Sequence, residues 1–469
     1  MSALWSGRFQ SDSADALRAF SVDLAVDYEL WPYDLAVNRA HARMLADNGI
    51  ISTEDHMAIG AGLDEIENEF ASDAFVFVPA DEDIHMAVER RLTELAGKAG
   101  RCLHAARSRN DQVCADFRLW CRDAIDRLTT HVDDLAAVLC DQAERHRDVL
   151  APGYTHLQRA QPLTLGHALL AHVEALDRDA ARLCDARARN NVSPLGAGAM
   201  STTTLPIDPH QTAEELGFSE VFGNSVDAVA ARDFAAELLA AATICAMHVS
   251  RLAEEVVLWA TSEFAVLHLD DAWATGSSMM PQKKNPDIAE LARALPARVL
   301  GAFVSLVTLV KGLPMAYNRD LQEDKAATFA AIRRLDLGLV AMTGLMSTVR
   351  FDIARLAASA AEASAAATDL AEALVAAGVP FRDGHELIGK LVGNLDAQNR
   401  TLDSVTNAEL AALHPALAGC AGEWLTAESC VQRRLLAGGP HPDAVGRAVT
   451  VAQARIATRR GALPVKERS

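Results

Sequence analysis

The chain has 469 residues, half of them apolar and only 5% aromatic, with a formal charge of −19. That length suits about three domains of ~150 residues each, and the composition favours aliphatic, alanine-rich helix packing over an aromatic-rich β-sandwich. The acidic balance excludes nucleic acid as a general partner, because phosphate binding needs surplus Lys and Arg. A locally positive pocket for an anionic small molecule is still compatible with it.

The first residues, from Met1 to Arg18, show no basic segment followed by an apolar one, so no secretory signal is expected. The apolar stretches bounded by Arg298 and Lys311, or by Asp336 and Arg350, fall short of the ~20 residues that span a bilayer. A soluble cytoplasmic protein without membrane association is expected. The cysteines at 102, 114, 121, 140, 184, 245, 420 and 430 form no C-x-x-C pair and are read as free, mostly buried thiols.

Strand signals are scarce along the chain. Residues 101–150 contain neither Gly nor Pro, and Val113, Phe117, Trp120, Ala124, Leu128, Val132, Leu135 and Leu139 recur at steps of three or four. A continuous helix over this stretch would run about 70 Å. Residues 233–260 are likewise free of Gly and Pro, with an apolar middle that suits a helix surrounded by helices. Residues 167–193, 286–311 and 345–377 add further long segments. The expected fold is all-α, with an N-terminal helical domain (1–106), a central long-helix bundle (107–357) and a C-terminal helical domain (358–469).

The most informative stretch is Thr275-Gly-Ser-Ser-Met-Met-Pro-Gln-Lys-Lys-Asn-Pro-Asp287. Asn285 and Pro286 suit the N-cap and first position of a helix. Ahead of them, Gly276 permits unusual backbone angles, and Ser277 can be presented beside the cation of Lys283 and the amides of the helix start. The competing structural reading is a polar connector.

This string resembles the signature of the fumarase/aspartase superfamily. Chain-wide, the sequence is similar to the argininosuccinate lyases of that superfamily. The resemblance rests on Trp5-Ser-Gly-Arg-Phe9, Asp81-Glu-Asp-Ile-His85, Arg107-Ser-Arg-Asn-Asp-Gln-Val113 and Thr155-His-Leu-Gln-Arg-Ala-Gln-Pro162. It extends through Asn224-Ser-Val-Asp227, Arg232-Asp-Phe234, Tyr317-Asn-Arg-Asp-Leu-Gln-Glu-Asp-Lys325, Ala367-Thr-Asp-Leu370 and Val379-Pro-Phe-Arg382. It implies a three-domain fumarase/aspartase-like fold with a long central bundle, a homotetramer whose sites combine three chains, and a small-molecule substrate.

Each motif also has a structural reading. Ser108 and Asp111 fit a capping pattern for the long helix, which leaves Arg109 and Asn110 unexplained; the resemblance makes this turn a carboxylate holder. His156, beside Thr155, is placed in a loop between helices. The resemblance pairs it with Glu290, which would fix its tautomer and raise its basicity. Tyr317, Gln322 and Lys325 read structurally as an exposed helix end with Asp320 or Asp324 paired to Lys325, whereas the resemblance makes them contacts to the amino-acid part of the substrate. Asp81, His85 and the acidic run around them carry a supporting role at most, as do Asp23, Asp27 and Arg232. No H-E-x-x-H or zinc-type spacing occurs, so metal-independent catalysis is expected, and the lack of a Gly-rich phosphate loop suggests no nucleotide cofactor.

The implied chemistry is elimination of fumarate from an N-substituted aspartate. Removing the proton beside a carboxylate builds a second negative charge there, which needs cations placed where it develops. Lys283, with Asn285 and loop amides, is the candidate. Ser277 is the candidate base, and His156 backed by Glu290 the candidate acid, although the two could exchange roles. Several positions depart from the family pattern. Asp23 replaces a serine, Ala106 replaces a glycine, the loop at 195–204 lacks a serine and a glycine, and Pro296 falls inside an expected helix, at ~3 kcal/mol unless a kink is wanted. These departures leave open a lyase for another N-substituted aspartate, and an inactive structural or binding homologue.

Overall fold

In the computed structural model the described residues are 16, 20–361 and 366–462, so Trp5–Phe9 lies outside them. Helices dominate, and strands are confined to four two-stranded ladders among the described residues. The all-α expectation holds.

The longest helix is Arg109–Arg145, with 37 residues, about 55 Å at the usual rise. It is shorter than expected because residues 101–108 fold separately, as a short helix Lys98–Cys102 and a turn in which Ala106 takes φ +62°. The stripe from Phe117 to Leu139 is buried as its spacing requires. Other long helices are Leu165–Asn190, Asp233–Trp259, Leu295–Val310 and Ala326–Thr348.

The chain divides into two compact units, each discontinuous in sequence. Unit 1 takes Met1–Thr129, Arg182–Thr243 and Ala297–Leu335. The few aromatic residues are concentrated there. Trp120 packs on Phe329 at 4.1 Å and Phe117 on Phe234 at 5.4 Å, while Trp31 stacks on Phe70 at 4.9 Å. Buried Arg118 lies over the Phe234 ring at 4.2 Å and donates to the Asn190 carbonyl at 3.1 Å, so its charge is met by a π face and an acceptor.

Unit 2 takes Thr130–Ala181, Ile244–Pro296 and Asp336–Ser469. Its C-terminal helices close over an aliphatic core that includes Leu370, Leu374, Ile388, Leu410 and Leu417. Arg459 of the Pro442–Ala462 helix reaches both Asp133 (2.7 Å) and Asp177 (2.5 Å). The helix break falls at Ala294, between Asp287–Arg293 and Leu295–Val310, which puts Pro296 in a first turn, where a missing N–H costs little.

Two sequence expectations are corrected. Asp233–Trp259 and Asp287–Val310 are long and apolar enough to cross a membrane. The helix register continues past Arg298, so the charge does not bound the apolar window. A core helix passes the same test, and 56% of the Asp233–Trp259 window is buried. The segment around His156 is not an irregular loop: Leu150–Thr155 pairs antiparallel with Gln158–Thr164. All eight cysteines are free.

Candidate active site

Unit 1 encloses a cavity of about 470 Å³ built from three separate stretches: Ser21–Asp27, residues 82–113 and residues 317–325. That volume lies in the range of small-molecule sites. The start of the Arg109–Arg145 helix forms one wall. Ser108 and Asp111 cap it as expected: the Ser108 N–H donates to Asp111 Oδ1 (2.9 Å), and Ser108 Oγ accepts from the Asn110 N–H (3.3 Å). Asp111 Oδ2 also accepts from the amides of Gly198 (2.8 Å) and Gly196 (3.2 Å), tying the 195–204 loop to this turn. Arg109 lines the cavity and donates to Glu89 (3.1 Å) and Gln112 (2.8 Å); Gln112 in turn donates to buried Asp34 (2.6 Å). Asn110 lines the cavity and donates to the Ala199 carbonyl at 3.2 Å.

The opposite wall carries Tyr317, Arg319, Gln322 and Lys325. Both Arg319 (3.0 Å) and Gln322 (3.1 Å) donate to the Ser21 carbonyl, which fixes the 317–325 segment against the N-terminal stretch. Lys325 is fully buried, and its ammonium lies 2.8 Å from Asp324 Oδ1. Burial alone would lower its pKa, but Asp324 and Asp27 outweigh this and raise it, so the amine stays charged. Asp324 gives its other oxygen to Arg232, so Arg232 acts behind the wall rather than in the cavity. The Asp324–Lys325 pair named as the structural alternative is therefore present, and Lys325 still faces the cavity.

Below this wall lies His85, fully buried, with Nε2 2.8 Å from Asp116 and Nδ1 3.6 Å from Asp83. Burial would lower its pKa, but hydrogen bonds to Asp116 and Asp83 prevail and raise it to about 10. Ligand atoms of Asp27, Asp83 and His85 lie within 4.8 Å of one another, as do those of Asp34, His85 and Asp116, so either set has metal-ligand spacing. A protonated imidazole offers no lone pair, and the imidazolium already supplies the positive charge that these carboxylates need. Asp81 is not part of the cavity. It holds Arg90 through both oxygens (2.9 and 3.0 Å) and caps the Val78 amide (2.9 Å).

The remaining candidates belong to unit 2. Thr275 and Gly276 pair with Asn285 and Lys284, and the ladder closes the Ser277–Lys283 loop at its base. Asn285 is thus a strand residue rather than a helix cap, and the helix begins at Asp287. Ser277 Oγ accepts from the amides of Met279 (3.2 Å) and Met280 (3.0 Å); two donors on one oxygen favour its anionic form. Lys284 is spent on the Leu269 carbonyl and Asp271, both at 2.6 Å, whereas Lys283 is exposed.

His156 and Leu157 form the two-residue tip of the 150–164 hairpin, both at φ +56°. Such turns normally take Asn-Gly, so each non-glycine residue here holds about 1–2 kcal/mol of strain. Strain of this kind concentrates at functional positions. Thr155 is exposed at the last strand position. Within one chain no hydrogen bond joins His156 to Glu290 among the described residues; exposed Glu290 lies 3.5 Å from Arg293.

Glu82, Asp83, Glu89, His104 and Arg319 also line the cavity and were not singled out from sequence. Glu89 was findable: it lies four residues beyond His85 on the Ile84–Ala96 helix, hence on the same side.

Residues 7–301 match the family model described as Lyase, and residues 364–432 match the one described as argininosuccinate lyase C-terminal. The chain is 46% identical to the argininosuccinate lyase of Maricaulis maris over 456 residues, covering 97% of each protein. It is 48% identical to that of Thermosynechococcus vestitus over 453 residues, covering 96% of this chain and 98% of the relative. Among solved structures, EDDS lyase in complex with formate is similar with a TM-score of 0.82 and 30% identity, covering 93% of this chain and 88% of that one. Class II fumarase from Schistosoma mansoni shares the fold, with a TM-score of 0.72 at 16% identity over 85% of this chain and 90% of that one.

Proposed function

Because the chain belongs to the argininosuccinate lyase family, which makes it a carbon–nitrogen lyase, we propose that it eliminates fumarate from argininosuccinate and releases arginine. The observation that carries this reading is the unit 1 cavity, where Arg109 and Asn110 meet Tyr317, Gln322 and Lys325. The succinyl end offers carboxylates to the Arg109–Asn110 turn, with Ser108 and Thr155 as further contacts, and the amino-acid end meets the 317–325 wall.

Ser277, whose oxygen already receives two amide hydrogens, removes the proton beside a succinyl carboxylate. Lys283 and Asn285 stabilise the charge that builds there. His156, backed by Glu290, protonates the departing guanidino nitrogen; serine and histidine exchange roles if the proton moves the other way. Sites shared between subunits of a homotetramer would let His156 and Glu290 meet. Leu300, Val304 and Val307, exposed by 47%, 50% and 38% on one side of the Leu295–Val310 helix, support such an assembly.

The test follows fumarate absorbance with purified protein and argininosuccinate. Rapid release is expected, and Ser277→Ala should lower kcat by about 10²–10⁴-fold without changing the fold. A second reading, a lyase for a different N-substituted aspartate, is favoured by Asp23 in the cavity wall; fumarate from other aspartyl-amines but none from argininosuccinate would select it.

A further inference from the structure

The carboxylates around the unit 1 cavity divide into those with a cation and those without. Glu89 lies 3.1 Å from Arg109, Glu82 lies 3.8 Å from Arg319, and Asp324 serves Arg232 and Lys325. Asp83 caps the Met86 amide at 2.7 Å and faces His85 at 3.6 Å. Asp23 and Asp27 remain. The Asp27 N–H donates to the Asp23 carbonyl at 2.9 Å, so the two residues are one helical turn apart and share a side. Asp27 is 5% exposed, and its Oδ1 accepts no hydrogen bond. Its nearest ammonium, Lys325 at 4.0 Å, is already in contact with Asp324. The Asp23 amide is anchored to the Glu82 carbonyl at 3.1 Å, while its carboxylate has no hydrogen-bond donor among the described residues. Two neighbouring carboxylates facing an enclosed space are unfavourable as a pair of anions unless a proton or a ligand supplies the missing charge.

We propose that Asp23 and Asp27 form a cation subsite for the amine half of the substrate, with Asp23 the residue that makes the site selective for an amine half carrying an ammonium group. The proposal rests on the lyase reading above and deepens it. In argininosuccinate the guanidino nitrogen must lie at the breaking bond, so the cation that reaches the far wall is the ammonium of the arginine part. Its carboxylate then faces Lys325, Gln322 and Tyr317, and the ammonium faces Asp23. Burial and the charge of Asp27 raise the pKa of Asp23 to about 7 in the empty site. The groups acting on it are Asp27, Glu323 and Asp324 as anions and Lys325 as a cation, which stays charged because its own pKa is raised. Above pH 7 Asp23 is ionised and attracts the ammonium, and below pH 7 it is neutral, so affinity should increase as pH rises through this value.

The test measures KM and kcat for argininosuccinate at about pH 6 and about pH 8 in the full-length wild type, Asp23→Asn and Asp23→Ser, with circular dichroism as the check on folding. Wild-type KM should fall severalfold on going to the higher pH. Both variants should raise KM there by about tenfold or more, the size expected for losing one charge-assisted hydrogen bond, and their KM should lose the pH dependence. An unchanged or lower KM in Asp23→Asn, or a pH profile like that of the wild type, overturns the proposal. Calorimetric binding of arginine and of its desamino analogue separates this failure from failure of the lyase reading, since it needs no turnover. Asp23→Asn should weaken arginine by about tenfold and leave the analogue unchanged; equal effects on both overturn the subsite even in a protein that releases no fumarate.

Discussion

Ala106 is a small residue in a conformation that suits glycine, and substitution there isolates backbone strain from packing. Its φ of +62° lies in the left-handed region, in the turn that precedes Ser108, Arg109 and Asn110. An L-residue there costs about 1–2 kcal/mol. Ala106→Gly removes that cost but gives the unfolded chain more freedom, an opposing ~0.4–1 kcal/mol. The net expectation is a gain of about 1 kcal/mol or slightly less, or roughly 2–4 °C in Tm for a cooperative unit of 150–250 residues. Gly97, at φ +57° and ψ −118°, supplies the reciprocal experiment. A Cβ added there meets nothing within 4 Å, so Gly97→Ala introduces strain without a clash and should destabilise by about 1–3 kcal/mol. Urea unfolding followed by circular dichroism, with the slope m compared between proteins, reads both. A lower midpoint for Ala106→Gly at unchanged m would refute the reasoning. It would mean that neighbouring contacts, such as His41 on the Ala105 carbonyl at 2.9 Å, decide the stability of the turn.

Gly344→Ala should be far more damaging, because its Cβ would lie 2.1 Å from the Trp273 ring. A loss of about 3 kcal/mol or more is expected from overpacking, with altered tryptophan fluorescence as a direct readout. Stability should also fall with pH through His85. Its folded pKa of about 10 exceeds the ordinary value of 6.5, so the stabilisation is complete below about pH 6.5 and is lost as pH rises to 10. Urea midpoints should decline across that window, and His85→Gln, although less stable at neutral pH, should show a shallower decline.

The sequence made the long helices legible because their periodicity is uninterrupted: Phe117 to Leu139 are all buried on the Arg109–Arg145 helix. The Ser108–Asp111 cap was equally plain, since both partners lie within one turn of chain. The 150–164 hairpin was not, because Pro152 and Pro162 interrupt its alternation and its tip lacks the usual turn residues. Asn285-Pro286 fits a helix start by propensity, yet pairing with Thr275 overrides it. The cavity joins stretches nearly 300 residues apart, as in the Ser21–Gln322 hydrogen bond with a separation of 301. Tyr317, Gln322 and Lys325 could be named from their motif, but the unequal distribution of charge around Asp23 and Asp27 arises only once the chain is folded.

The hairpin tip has a further consequence for anyone seeking a hardier variant. Selection for heat tolerance alone would be drawn to residues 156 and 157, where Asn-Gly would relax two left-handed positions at once. The imidazole would disappear in the same step. Robustness and reactivity thus compete for one pair of adjacent residues, and a screen that scores only survival would discard the second to obtain the first.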